Sequence, residues 1–321
     1  YIARSLDDIA RRFNKSKPEI DKILEESRAK LLAERNKRPR PHLDDKILTD
    51  WNSLMISSLA FGGRVLDEPE YTDAAKKAAD FILANLMDKN GRLLHRWREG
   101  EAAINGMLDD YAFLINGLID LYEATFDLKY LEYAVKLTRQ MLDFFWDEKE
   151  GGFFFTADGS EKLIIRHKDV YDGAIPSGNS FAALDLIRLS KITTEGSFDK
   201  KLEELLNAFS GAIRQMPSGY FQTLISLDFV LGPSREIVIV GEEDSEDTKN
   251  MIRMIYKKYI PNKVVIFRPT EKVKAEKATS IIPDLKDWPQ ENNKTTVYVC
   301  TDYVCDLPVT SLEELENVLE K

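Results

Sequence analysis

Three segments of this 321-residue chain gather carboxylates, amides and aromatic rings densely enough to support chemistry. Asp44, Asp45, Lys46, Asp50, Trp51 and Asn52 form the first. Asp109, Asp110 and Tyr111 form the second, and Asp172, Ser177, Gly178, Asn179 and Ser180 the third. Carboxylates and amides offer paired hydrogen bonds to neighbouring hydroxyls, and flat rings stack on sugar faces, so the set suits a carbohydrate. Two carboxylates across one mouth could act as acid and base in glycosyl hydrolysis. His42 or His167 could abstract a proton beside a carbonyl, as sugar isomerisation requires. Asp109, Asp110 and His42 are therefore the candidate catalytic groups, with Lys46 as a further charge partner. Trp51 and Tyr111 are candidate stacking walls and Asn52 and Asn179 candidate hydroxyl readers. Asp44, Asp45, Asp172 and Ser177 complete the expected substrate-binding set.

A simpler reading stands beside each of these. Asp, Asn and Ser at helix starts satisfy free backbone N–H groups and favour the positive dipole end, which alone explains Asp50, Asp109 or Ser177. Trp51 and Tyr111 read as core before they read as stacking walls. The three histidines read first as hydrogen-bonded structural groups, and His95, in Leu94-His95-Arg96-Trp97, is the weakest catalytic candidate. Density favours a site, because Asp44-Asp45-Lys46 and Asp109-Asp110 hold more charge than one cap can use. Cys300 and Cys305 form a C-x4-C pair with no further zinc ligand nearby and no C-x-x-C motif, which leaves buried thiols or an adventitious disulfide. No phosphate-cradling G-x-x-x-x-G-K-[ST] occurs. Neither a metal nor a cofactor is expected.

These residues recur because the elements that carry them recur. Leu48-Thr49-Asp50-Trp51 matches Leu108-Asp109-Asp110-Tyr111 sixty positions later. Tyr111, Leu114, Ile115, Leu118 and Tyr122 mark a helix, and Tyr130, Ala134, Leu137, Met141 and Phe144 mark a second after a break. The unit from Trp51 runs the same way, as does a third from Ser177 that closes on Ser218-Gly219-Tyr220-Phe221. The first helix of each unit is apolar on most of its circumference and must be buried all round, whereas the second keeps a lysine- and glutamate-rich wet face. Inner and outer layers of this kind describe an α/α toroid or solenoid, and parallel inner helices would bring the three polar segments to one mouth. Two polar helices precede the repeats, capped by Ser5 and Ser16, and Arg38-Pro39-Arg40-Pro41 links them on. Beyond about residue 232, Glu236–Val240, Val264–Phe267 and Thr296–Val299 read as strands of a small parallel sheet. Helices are expected from Ser245 and from Ser311, and a solvated loop over Lys272–Lys277. The expected division is thus 1–232, α/α hairpins, and 233–321, a small α/β subdomain.

With 45 basic and 55 acidic residues the net charge is −10, a poor counterion for nucleic acid or anionic membranes. Hydrophobic residues, at 43%, suffice for a core, and no apolar run approaches a membrane span. Two cysteines fit a reducing cytoplasm, which is the expected location. Three hairpins are too few to close a toroid, and the chain opens on Tyr1, so it is expected to be the C-terminal part of something longer.

The motifs also carry a resemblance. Arg38-Pro-x-Pro-His42-Leu-Asp44-Asp45-Lys46 with Trp51-Asn52, Leu108-Asp109-Asp110-Tyr111-Ala112, Asp172-Gly173-Ala174-Ile175-Pro176-Ser177-Gly178-Asn179-Ser180 and Cys300-x4-Cys305-x2-Pro308 occur in order. This set resembles the spermatogenesis-associated thioredoxin-like proteins and their bacterial counterparts of the YyaL type. The resemblance implies a thioredoxin-like domain followed by an (α/α)6 barrel of the six-hairpin glycosidase and N-acylglucosamine 2-epimerase type, of which this chain looks like the C-terminal half. It implies no reaction. Two functions follow as expectations: a protein that binds or transforms a sugar or sugar derivative at the barrel mouth, or a non-catalytic binding half. In the second case redox chemistry would lie in the N-terminal half of the same protein, its expected partner.

Overall fold

The computed structural model describes residues 4–160, 164–302 and 304–320, in two compact units, Tyr1–Asp45 and Lys46–Lys321. The first unit holds α1 (Leu6–Phe13) and α2 (Lys17–Asn36). Their starts follow from the caps expected of them. The Ser5 side chain accepts from the Asp8 N–H, and the Ser16 N–H donates to Glu19 at 2.8 Å, half of a capping box. The Arg-Pro repeat that follows forms neither helix nor strand.

The second unit begins with β1 (Ile47–Leu48), α3 (Thr49–Leu66), α4 (Pro69–Asn85), β2 (Leu94–Arg98) and β3 (Glu101–Asn105). The hairpins continue through α5 (Leu108–Thr125), α6 (Leu128–Phe145), α7 (Gly178–Thr193), α8 (Gly196–Gln215) and α9 (Phe221–Leu231). Helices α3, α5, α7 and α9 lie side by side as an inner row, with α4, α6 and α8 packed outside them. The unit is therefore built of α/α hairpins of the toroid type. The inner helices run parallel, since their starts touch one another (Asp50 to Asp110, Asp172 to Gln222) and so do their later turns (Arg64 to Glu123, Arg188 to Asp120). In α5 every residue from Leu108 to Glu123 except Asp109 is buried, as an all-apolar circumference demands. Gly117 allows the closest approach, because a Cβ there would stand 2.9 Å from the Ser53 carbonyl oxygen of α3. Each of α3, α5 and α7 turns back on one left-handed residue, Asp67, Phe126 or Thr194. Helix α9 is a fourth inner helix that the three-unit periodicity does not announce, because no outer helix follows it.

The chain then forms β4 (Arg235–Gly241), α10 (Glu246–Lys257), β5 (Lys263–Pro269), α11 (Lys272–Ile281), β6 (Thr296–Thr301), β7 (Val304–Cys305) and α12 (Leu312–Leu319). Strand order is β5-β4-β6-β7. Strands β4 and β5 pair in parallel through the α10 crossover, but β6 runs antiparallel to β4, so the sheet is mixed rather than wholly parallel. The expected loop at Lys272–Lys277 is instead the start of α11. Lysine, glutamate and alanine are good helix formers, and Ala278 at its far end is buried. Alternate residues of the central strands serve two cores. Val238, Val240, Val264 and Ile266 join the core of the hairpins, while Ile237, Ile239, Val265 and Phe267 pack with Met251, Ile255, Leu315 and Leu319 of α10 and α12. Hairpins and sheet thus share one core across residue 232, within a single compact unit. Cys300 and Cys305 face each other across β6 and β7 and are joined as a disulfide. Among the described residues, no helix is long and apolar enough to cross a membrane.

Candidate functional site

The starts of α3, α5 and α7 meet, as parallel inner helices require, and a short three-stranded sheet brings a histidine to them. β1 leads directly into α3, β3 leads into α5, and β2 lies between them with Leu48 opposite Arg96. That register sets His95 beside Asp110. Both carboxylate oxygens of Asp110 lie within hydrogen-bond reach of His95 Nδ1, at 3.0 and 3.1 Å. Asp110 also accepts from the backbone N–H groups of Met107 (2.8 Å) and Asp50 (3.1 Å). Asp110 is 1% exposed, so it is a buried anchor for His95 and for two helix starts. This bond holds the imidazolium of His95 above its ordinary range, against the opposing pull of burial.

Asp109 points elsewhere. Burial, then the neighbouring Asp110, push its carboxyl up to about 7, although the Gly178 N–H at the start of α7 donates to it. Burial and Asp110 also raise Asp50. Asp109 lines a pocket of about 340 Å³ together with Asp169, His167, Tyr171, Phe155 and the 173–178 loop. Phe155 and His167 stack with ring centroids 5.4 Å apart. Gly178 sets the fit, because a Cβ there would come within 2.5 Å of the Asp109 carboxylate. A carboxylic acid that titrates near neutrality, a second carboxylate and flat rings in one pocket can exchange a proton with a bound hydroxylated ligand. One ring nitrogen of His95 and one oxygen each of Asp50 and Asp110 also lie within 4.8 Å of one another, a spacing that could hold a cation. The backbone donors aimed at Asp110 account for the same cluster as a His–Asp pair without one.

Of the residues singled out in the sequence, Asp109, His167, Ser177 and Gly178 line this pocket; Ser177 also caps α7 by accepting from the Ser180 N–H. Asp110 lies behind it as the anchor described above. The others take different places. Tyr111 is core, 2% exposed, with its OH accepting from the Leu93 N–H and its ring against Phe145, so it cannot wall a ligand. Asn179 is fully buried and clamps the Phe153 backbone and the Asp169 carbonyl, leaving no N–H for a sugar hydroxyl. Asp172 accepts from Ser177 N–H, the Ser180 hydroxyl and Gln222 N–H, tying α7 to α9. Asn52 donates to the Leu48 carbonyl within its own helix start. Trp51 is 63% exposed on α3, contrary to a core position. His42, Asp44 and Asp45 are exposed residues of the first unit, and Lys46 is an exposed residue that opens the second. The sequence reading undervalued His95 and passed over Asp169. His95 lies fifteen residues before Asp110 on a strand, and only strand pairing folds that separation to contact.

Parallel inner helices backed by outer ones, with titratable carboxyls at the shared helix starts, define an α/α-hairpin protein with a polar mouth. Over the stretch it spans, the chain is homologous to spermatogenesis-associated protein 20. It is 34% identical to that protein of Homo sapiens over 328 residues, covering 99% of this chain and 42% of the relative. An uncharacterized protein of Caenorhabditis elegans is 30% identical, over 94% of this chain and 42% of its own length. The chain thus spans less than half the length of the curated relatives it matches. No protein-family model matches it. Among solved structures it is similar to a GH76 alpha-mannanase of Bacteroides thetaiotaomicron, with TM-score 0.45, 16% identity and 54% and 47% of the two chains covered. It is also similar to a cellobiose 2-epimerase of Spirochaeta thermophila, with TM-score 0.44, 18% identity and 51% and 43% covered.

Proposed function

We propose that the pocket at the helix starts binds a carbohydrate and that Asp109 exchanges a proton with it. One observation carries this reading. Asp109 is a carboxyl raised to about 7, and it lines a pocket that also holds Asp169 and the rings of Phe155, His167 and Tyr171. A group titrating near the working pH is both a competent donor and a competent acceptor. Asp169 is the partner carboxylate, and the rings supply the faces on which a sugar stacks. Asp110 and His95 act through position, by holding the α3 and α5 starts and by keeping negative charge beside Asp109. A cytoplasmic setting belongs to this reading, and neither cysteine lines the pocket.

A second reading has support of its own. Asn179, Asp172 and Tyr111, expected to read a ligand, spend their hydrogen bonds on the chain itself. That suits a binding half without chemistry, with any redox activity in a thioredoxin-like part of a longer protein.

Proton NMR of the chain with a panel of reducing sugars and aryl glycosides tests both. Saturable binding, with turnover that falls about 100-fold in Asp109→Asn, is the expected result. Binding without turnover in wild type as well as in Asp109→Asn would favour the binding half, and no saturable sugar binding at all would overturn the carbohydrate assignment.

A further inference from the structure

A second and larger cavity, of about 890 Å³, opens among the later turns of the inner helices, and no step of the reading above uses it. It is bounded by α3, α5, α7, α9 and the segment Tyr256–Lys263 that leads from α10 into β5. Its walls are mainly apolar, with Phe61, Leu184, Phe221, Leu224, Ile225 and Phe229 among them.

Its charges sort into those already matched and those not. From α3 and α7, Arg64 and Arg188 bind Asp120 and Glu123 of α5, two cations against two anions. Asp228 of α9 accepts from Asn262 at 2.7 Å. Lys258 pairs with Glu316 and Glu320 of α12. The Tyr256 hydroxyl donates to the Glu123 carbonyl. Lys257 is exposed at the rim, whereas Lys263 is different. Its Nζ donates to the Ile260 carbonyl at 3.0 Å, which uses one of three N–H bonds, and among the described residues no carboxylate lies within 4.0 Å of it. Burial pulls its ammonium down to about 8, with Glu123 opposing and the nearby Arg64 and Arg188 adding to the fall. Arg64 Nε also lacks a hydrogen-bond partner, but it is fully enclosed, so a ligand in the cavity does not reach it. Lys263 Nζ lies 6.0 Å from the centroid of the Tyr256 ring, which lines the same cavity.

A half-buried ammonium with free donors beside phenylalanine walls suits an anion attached to an apolar body. We infer that this cavity binds a monocarboxylate with an aryl or branched-alkyl body, its carboxylate on Lys263 Nζ and its body against the phenylalanines. Dianionic phosphates fit less well, because Asp120, Glu123 and Asp228 border the same space and the matched arginines have no charge to spare.

Calorimetry with 4-phenylbutyrate and its neutral amide, 4-phenylbutyramide, provides the test on the wild-type chain. The acid should bind about tenfold more tightly than the amide, the worth of one charge-assisted hydrogen-bonded pair. That preference should shrink as pH rises past about 8, where Lys263 loses its proton. Lys263→Met should abolish the preference and Lys263→Arg retain it, with far-UV circular dichroism confirming that both fold. Equal affinity for acid and amide in wild type, a preference that persists in Lys263→Met, or no saturable binding of either at millimolar concentration would overturn the assignment. The first and last of these need no variant. Sugar binding at the other end of the helices is read separately and does not bear on this outcome.

Discussion

The two ends of the inner helices are both rich in charge and handle it in opposite ways. At the starts, Asp50, Asp109 and Asp110 crowd together beside His95, and burial with mutual repulsion raises Asp50 and Asp109. At the later turns, Asp120 and Glu123 face Arg64 and Arg188. Burial alone would raise Asp120, but Arg188 and Arg64 hold it below its ordinary value. Matched charge in a low-dielectric interior fixes a structure and stays in one protonation state, whereas unmatched like charge costs stability and leaves a proton mobile near neutral pH. This contrast is the reason the proposed proton exchange is placed at the starts and not at the matched cluster.

Breaking the matched end should have the largest effect. Arg188→Met leaves Asp120 and Glu123 buried beside a single guanidinium, and equilibrium urea denaturation should show a loss of about 3–5 kcal/mol. An unchanged midpoint would mean that the network contributes nothing net.

At the unmatched end the sign reverses. The Asp109 carboxyl is raised to about 7 in the fold from an ordinary 3.8, so the native state keeps a proton that the unfolded chain releases. Stability should therefore fall as pH rises from about 4 to about 7 and level off above that. Asp109→Asn should flatten this slope and raise stability at pH 8 by roughly 1–2 kcal/mol, allowing for partial exposure, even as it removes the proposed proton transfer. A variant with the same slope as wild type would contradict the raised carboxyl.

The smallest effect sharpens the distinction between anchor and reacting group. Asp110→Asn replaces a charged acceptor of two backbone N–H groups and should lose about 1 kcal/mol. The His95 imidazole, followed by NMR titration, should then return toward its ordinary 6.5. Because the raised His95 favours the fold only while protonated, the contribution of this pair is full below pH 6.5 and is lost as pH rises through the native value. An unshifted His95 in Asp110→Asn would sink the pairing.

Much of this was legible in the residues. The apolar circumference of α5 and α7, the wet faces of α6 and α8, and the caps at Ser5, Ser16, Ser177, Ser245 and Ser311 depend on spacing and local hydrogen bonding, which the chain carries in linear order. The sixty-residue repeat placed Asp50 and Asp110 in equivalent positions, and the two do meet. Local order could not say whether β6 runs with or against β4, since direction depends on how the long connection after α11 returns.

The types of chemistry available and the elements that carry them were thus determined by the sequence alone. Which of those residues are spent and which remain available was decided only by tertiary packing. Asp109 and Asp110 are chemically identical neighbours, yet one faces a pocket and the other is enclosed by two backbone N–H groups and an imidazole. His95 counted least among the histidines until β2 brought it to α5, and Lys263 was an ordinary lysine at a strand end until four helices enclosed it. A side chain's charge state is set by the dielectric and the charges around it, and those come from segments far away in sequence.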